Sequence, residues 1–372
     1  MALILLVCEA GGNWPEIRQD GVRIINKKYH LIVGEYGAAV PGVDDEIMEI
    51  FQHTISRPVS FNDVGLHTGQ PVKLTVSPAR ANHGIRFKRS GSEDSMPAFM
   101  DRVVDTSLAM TIADRGMVVS TTEHLLAALM GLGIDNAMIE LDGPELPIMD
   151  GSAAPFVENL KKASLTRQRS CCRVLKITRP IRCQEGDKLI TITPYNGLKL
   201  TCHIDFDHAT VQSQSYSVVV SPKKFSDEIA AARTFGFIEQ VEALQANGYA
   251  LGGSLKNAVV IGPQGVINEE GLRFTDEFAR HKVLDLLGDL ALLGCRVLGH
   301  VEATKSGHGQ HLALMQAIVA HPECWQFIEP DQCAENRLLE NMTATTMHAG
   351  SMILPFLNPS VANAGQVCRV ST

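Results

Sequence analysis

An α+β fold built from two similar halves is predicted by three observations. Runs of strand-like pattern are followed by helices instead of alternating with them one for one. Each half closes on the same order of helix, strand, loop and helix. A polar stretch at 162–173 (KASLTRQRSCCR) separates the halves and reads as a linker. Each half is therefore expected to be a small, mostly antiparallel sheet layered against helices.

The elements follow in order. Residues 72–76 (VKLTV) alternate at period two, as a half-buried strand does. Residues 106–113 and 118–119 read as two arms of a hairpin around Asp114-Arg115-Gly116. A helix is expected over 121–130, stopped by Gly131-Leu132-Gly133, then a strand at 137–141 and a helix at 153–162. In the second half, strands are expected at 174–177, 189–193 and 198–204. The last two are joined through Asn196-Gly197, a tight-turn signal. Helices follow at 225–232 and 276–293, a strand at 296–303 and a helix at 310–320. A glycine-rich insertion, 248–270, interrupts this half around an apolar 258–261 core. The domain assignment is an extension 1–54, a first domain 55–165, a second domain 173–322 and a tail 323–372. The apolar run 1–8 meets Glu9 at once and reads as a buried strand or an artefact of start-site choice, not as a targeting signal.

Composition narrows the function. A chain of 372 residues can bury a sizeable core. Its net charge of −8 argues against nucleic acid as a bulk partner while leaving room for a local basic pocket. Nine cysteines, an odd number with no CxxC pair, argue against a disulfide framework and for a reducing, cytoplasmic compartment. No later stretch is long and apolar enough for a membrane span.

Two distant segments carry metal-type chemistry. On a helix over 276–293, leucines and Val283 fill one broad arc, while His281, Asp285, Gly288 and Asp289 fall in a narrow opposite sector with Lys282 at its edge. His281 and Asp285 are i and i+4, stacked one above the other. They form either half of a metal grip or a solvated His–Asp pair. In Ser120-Thr121-Thr122-Glu123-His124, Glu123 is either a capping-box acid bonding back to Ser120 or a catalytic carboxylate beside a ligand, His124. Two His and one Asp are the number of ligands a catalytic zinc takes before water fills the fourth position. His308, between two glycines in Lys305-Ser306-Gly307-His308-Gly309, can project from a loop for proton transfer or sit in a plain surface loop. Gly65-Leu66-His67-Thr68-Gly69 reads as a turn. Arg233-Thr234-Phe235-Gly236-Phe237 offers a hydroxyl and an aromatic wall, or core packing for its two phenylalanines.

Taken together, VGLHTG (64–69), TTEHLLAAL (121–129), GLGIDN (131–136), ELPIMDGSAAPFV (145–157), ARTFGF (232–237), GLRFTDEFARHKVLDLLGDL (271–290) and KSGHG (305–309) resemble the zinc-dependent UDP-3-O-acyl-N-acetylglucosamine deacetylases of lipid A synthesis. The stretches come in the family's order and cover about 55–322. The resemblance implies two domains with the site between them, and one Zn²⁺, or Fe²⁺ in its place, on His124, His281 and Asp285. It implies Glu123 as base, His308 as the imidazole acid or electrostatic group, Asp289 as its orienting carboxylate and Thr234 as a hydroxyl near the oxyanion. Lys282 matches a phosphate-binding lysine and Phe235 an aromatic beside the substrate. The insertion resembles a βαβ passage for the acyl chain, lined by Leu251 and Ser254. The implied reaction removes the N-acetyl group of UDP-3-O-(3-hydroxyacyl)-N-acetylglucosamine, in a monomeric enzyme with no nucleic-acid partner. Two other readings are a zinc amidase acting on another acylated sugar and a non-catalytic, metal-stabilised binding protein of the same fold.

Overall fold

The computed structural model describes residues 51–208 and 211–328. Its helices are α1 (Glu123–Gly131), α2 (Ala154–Lys162), the single turn α3 (Pro222–Lys224), α4 (Ile238–Ala246), α5 (Glu277–Leu290) and α6 (His308–Ala320). The fold is α+β, as expected, with several small sheets.

The first half holds a five-stranded sheet in the order Val59–Val64, Pro71–Pro78, Ala137–Leu141, Ile85–Arg89, Ser95–Pro97. Only the Ile85–Arg89 and Ala137–Leu141 pair is parallel. Alternation along Pro71–Pro78 sends Val72, Leu74 and Val76 inward. From α2, Phe156 packs edge-on against Phe61 with ring centres 5.0 Å apart. A separate three-stranded sheet holds Val103–Asp105, Thr111–Asp114 and Met117–Val119. The predicted hairpin turn is present, with Arg115 and Gly116 both at positive φ, as a two-residue hairpin loop favours. Its first arm is shorter than expected. Ser107 bonds Asp105 through both its backbone N–H and its hydroxyl, a local side-chain turn that breaks the strand.

The expected linker is instead largely a strand. Leu165–Cys171 pairs antiparallel with Phe51–Ile55, so the described fold begins before residue 55. The apolar run 1–8 lies outside the described residues, as does the tail beyond 328.

In the second half, Arg296–Thr304 is the organising strand. Lys188–Thr193 lies antiparallel on one side of it, and Leu198–Asp205 and Val174–Ile177 lie parallel to it. The strands flanking Asn196-Gly197 therefore do not pair with each other; Arg296–Thr304 runs between them. Ile181–Glu185, Ser213–Val219 and Trp325–Ile328 complete the sheet, and all three escaped the sequence reading. The helix expected at 225–232 is the turn α3 followed by a π-helical segment, Phe225–Ile229. The βαβ unit is shifted from the predicted 248–270. Phe235–Phe237 pairs in parallel with Val259–Gly262, and α4 is the crossover between them. The predicted range holds only its second half.

One continuous core joins the halves, running from Leu74 and Phe87 through Leu125, Leu126 and Leu129 of α1 to Leu284 and Leu287 of α5. Among the described residues no helix is long and apolar enough to cross a membrane. Cys172, Cys183, Cys202, Cys295 and Cys324 are free thiols.

Candidate active site

Helix α1 is apolar almost all round, and every residue from Glu123 to Leu129 is buried. A helix of this kind belongs inside, so its two polar residues are carried in with it. Helix α5 is likewise sunk, with His281, Asp285 and Asp289 at 2%, 3% and 0% exposure. Those values exclude a solvated face for its polar sector. The two helices meet at Gly288, where a Cβ would stand 2.0 Å from the Glu123 carbonyl oxygen. Only glycine permits that approach, and it brings the polar residues of both helices into one buried volume.

His124, His281 and Asp285 converge there, each with a candidate ligand atom within 4.8 Å of the others. Asp285 Oδ1 lies 3.2 Å from His281 Nε2 and 3.7 Å from His124 Nε2. The two rings stand nearly perpendicular, 5.0 Å apart. His281 Nδ1–H donates to the Ala232 carbonyl at 3.0 Å, which leaves the Nε2 lone pair facing the carboxylate. Burial pushes both imidazoles down, His124 to about 3. Burial would raise Asp285, but the neighbouring His281 and Lys282 hold it well below the usual carboxylate range. Near pH 7, then, two neutral imidazoles and a carboxylate face one point, and His124 Nδ1 has no hydrogen-bond partner among the described residues. A divalent cation fits this donor set.

Beside it lies a second cluster with opposite electrostatics. His308 Nδ1–H donates to Asp289 Oδ2 at 2.7 Å, and His308 Nε2 lies 3.9 Å from Glu123 Oε1. Burial lowers the His308 pKa, but the charges of Asp289 and Glu123 outweigh it and lift the imidazole to about 10. Glu123 is pushed up to about 7 by burial, against the pull of His308. It does not cap its helix. Its Oε2 accepts the Met110 N–H at 3.1 Å, while the Ser120 hydroxyl bonds Thr111. His308 is also not on a loop; it is the first residue of α6.

The remaining predicted residues lie around these clusters. Lys282 Nζ donates to Asp285 Oδ2 at 3.1 Å and stands 5.7 Å from the centre of the Phe235 ring. Phe235 packs on Phe278 at 4.8 Å and on His281 at 6.4 Å. It therefore joins core packing to a place beside the cluster. Thr234 is fixed by its backbone, donating to Gly151 and accepting from Val259, each at 2.8 Å. Leu251 is 53% exposed; its N–H donates to the His67 carbonyl. Ser254 is exposed, and its hydroxyl accepts the Lys256 N–H at 3.3 Å in a local turn.

Three structurally important residues escaped the sequence reading. Glu145, buried, accepts the backbone N–H groups of His67 and Thr68 and the hydroxyls of Thr68 and Thr121, all within 2.9 Å. It ties the 65–69 turn to the entry of α1, where Thr121 is held at φ 56°. Nothing in its sequence neighbourhood marks it. Glu277, fully buried, accepts from the backbone and guanidinium of Arg233 and from the Arg273 N–H. It seats the segment that offers the Ala232 carbonyl to His281. His311 lies three residues beyond His308 on α6, a spacing that could have flagged it.

The family model LpxC, UDP-3-O-acyl N-acetylglycosamine deacetylase, matches residues 52–320. A curated protein of that name from Syntrophotalea carbinolica is 46% identical over 289 residues, 77% of this chain and 94% of its own. Those of Anaeromyxobacter sp. and Geobacter sp. are 49% and 48% identical, covering 74% and 75% of this chain and 91% and 92% of their own. The chain belongs to the UDP-3-O-acyl N-acetylglycosamine deacetylase family, hydrolases that act on an amide.

Proposed function

We propose that this protein hydrolyses the N-acetyl group of UDP-3-O-(3-hydroxyacyl)-N-acetylglucosamine with one zinc ion, as a cytoplasmic enzyme of lipid A synthesis. The observation that carries the reading is the pairing of a cation-fitting triad with a proton-handling pair, Glu123 and His308, on the same helix seam. His124, His281 and Asp285 would hold the ion. When bound, zinc polarises the amide carbonyl and makes a water more acidic.

The chain's own residues do the rest. Glu123, buried and with a pKa near neutrality, accepts the proton of the attacking water at Oε1. His308 carries its charge toward the same space and stabilises the developing oxyanion, with the Thr234 hydroxyl assisting. Its Nε2–H then protonates the leaving amine, which would otherwise depart as an unstable anion. Asp289 keeps that imidazole charged and aimed. Lys282, at the edge of the triad, would bind the diphosphate. Tyr249, Leu251, Leu255 and Ile267 are exposed apolar side chains on and beside the inserted unit, suited to an acyl chain that supplies remote binding energy.

The test is acetate release from this substrate by the metal-loaded protein, before and after chelation. Turnover abolished by chelator and restored by zinc is expected. Turnover indifferent to the chelator would overturn the metal's part, and absence of turnover in the loaded protein would leave a binding protein of the same fold.

A further inference from the structure

Asp289 has two imidazole partners, and the mechanism uses only one. His311 Nδ1–H donates to the same oxygen, Oδ2, that receives His308, also at 2.7 Å. His311 is 1% exposed, and its Nε2 lies 3.1 Å from the Ser306 hydroxyl, which can donate to it. The arrangement is a relay of fixed hydrogen bonds: Ser306 to His311, His311 to Asp289, His308 to Asp289, with His308 Nε2 facing Glu123. Asp289 Oδ1 is buried and has no partner among the described residues. The carboxylate is therefore held through Oδ2 alone, by two N–H groups. Removing either leaves it a single anchor, about which its plane can turn away from the other imidazole. Both bonds already have hydrogen-bond length, so the trio needs no ion to explain it.

We propose that His311 is a positioning residue: its N–H locks the Asp289 carboxylate in the rotamer that aims His308 at the reacting group. The role requires a buried N–H donor, not an imidazole as such, and acts on turnover and not on substrate binding. The kinetic consequence rests on the deacetylase reading above; the hydrogen-bond consequence does not.

The experiment compares H311L, which keeps bulk but donates nothing, with H311N, whose amide can still donate, each metal-loaded at fixed stoichiometry. The expected result is a kcat reduced ~10-fold in H311L with KM unchanged, and a kcat within about threefold of wild type in H311N. Equal kcat values in the two variants would overturn the proposal, as would a loss confined to KM. A second readout needs no activity. In the wild type, the His308 Nδ1–H proton should appear as a downfield, slowly exchanging imidazole resonance, assigned by its absence in H308Q. It should persist in H311N and be lost to exchange in H311L; persistence in H311L would overturn the proposal. If the wild type shows that resonance pattern but no deacetylation, the reaction assignment fails while the positioning role stands. If H311L does not fold, H311N decides the matter: a protected His308 proton supports the role, and an exchanging one sinks it.

Discussion

Two imidazoles of the cation cluster and His308 of the adjoining cluster meet at one helix seam, and they are driven in opposite directions. His124 and His281 are held neutral, with His124 lowered to about 3. His308, close by, is raised to about 10. Burial acts the same way on all three, so burial does not explain the difference. The charges facing the rings do. His281 donates to a backbone carbonyl, which fixes its tautomer and raises its pKa less than burial and the neighbouring Lys282 lower it. His308 donates to a carboxylate one helical turn beyond Asp285, which rewards the charge strongly. A single helix, α5, thus supplies Asp285 to a cation cluster and Asp289 to a proton cluster.

The most severe way to break this contrast is to remove the acid that sits between the clusters. Glu123→Gln should keep its metal and its fold yet lose ~10²–10⁴-fold in turnover. Acetate release together with metal analysis decides it, and wild-type turnover in the variant would end the role of Glu123 as base. His281→Ala attacks the other side. Its metal content should fall well below one ion per chain after dialysis, with activity falling in proportion; full occupancy would show that the triad does not hold the ion.

The contrast is sharpened by pH. Glu123 must be ionised to accept a proton, and its pKa is raised to about 7 by burial. Turnover should therefore rise with pH through an acidic limb at or below about 7, since a bound cation favours the carboxylate. His308 must be protonated, so turnover should fall through an alkaline limb near 10. In H308Q the alkaline limb should vanish while the acidic one remains. Loss of the acidic limb instead would exchange the two assignments.

Much of this was legible in the chain because chemistry and helical period coincide. His281, Asp285 and Asp289 recur at four-residue intervals, and His124 follows Glu123 directly, so the ligand-type residues could be listed before their meeting point was known. Their burial could not be read. The polar sector of α5 looks the same whether it faces water or a second buried helix, and α1 is only nine residues long. Register was hidden for a similar reason. Nothing local in Asn196-Gly197 reveals that Arg296–Thr304, a hundred residues on, will run between the strands it joins. Glu145 was invisible because its partners are backbone N–H groups and hydroxyls brought in from residues 67, 68 and 121.

The smallest change with a definite consequence is at the contact that lets both clusters exist. In Gly288→Ala, a Cβ would stand 2.0 Å from the Glu123 carbonyl oxygen and 2.9 Å from its Cα. Backbone on both sides leaves no flexible side chain to yield, so α1 and α5 must separate. Overpacking of this kind costs about 1–3 kcal/mol, partly offset by the better helix propensity of alanine, ~1 kcal/mol. Thermal unfolding should thus show a modest net loss. The separation should tell more on the cation cluster, whose ligand residues come from both helices, than on the His308–Asp289–His311 trio, whose members come from α5 and α6. Metal affinity should fall while the protected His308 proton resonance persists. If the resonance is lost and the metal retained, the seam between α1 and α5 is not what separates the two clusters.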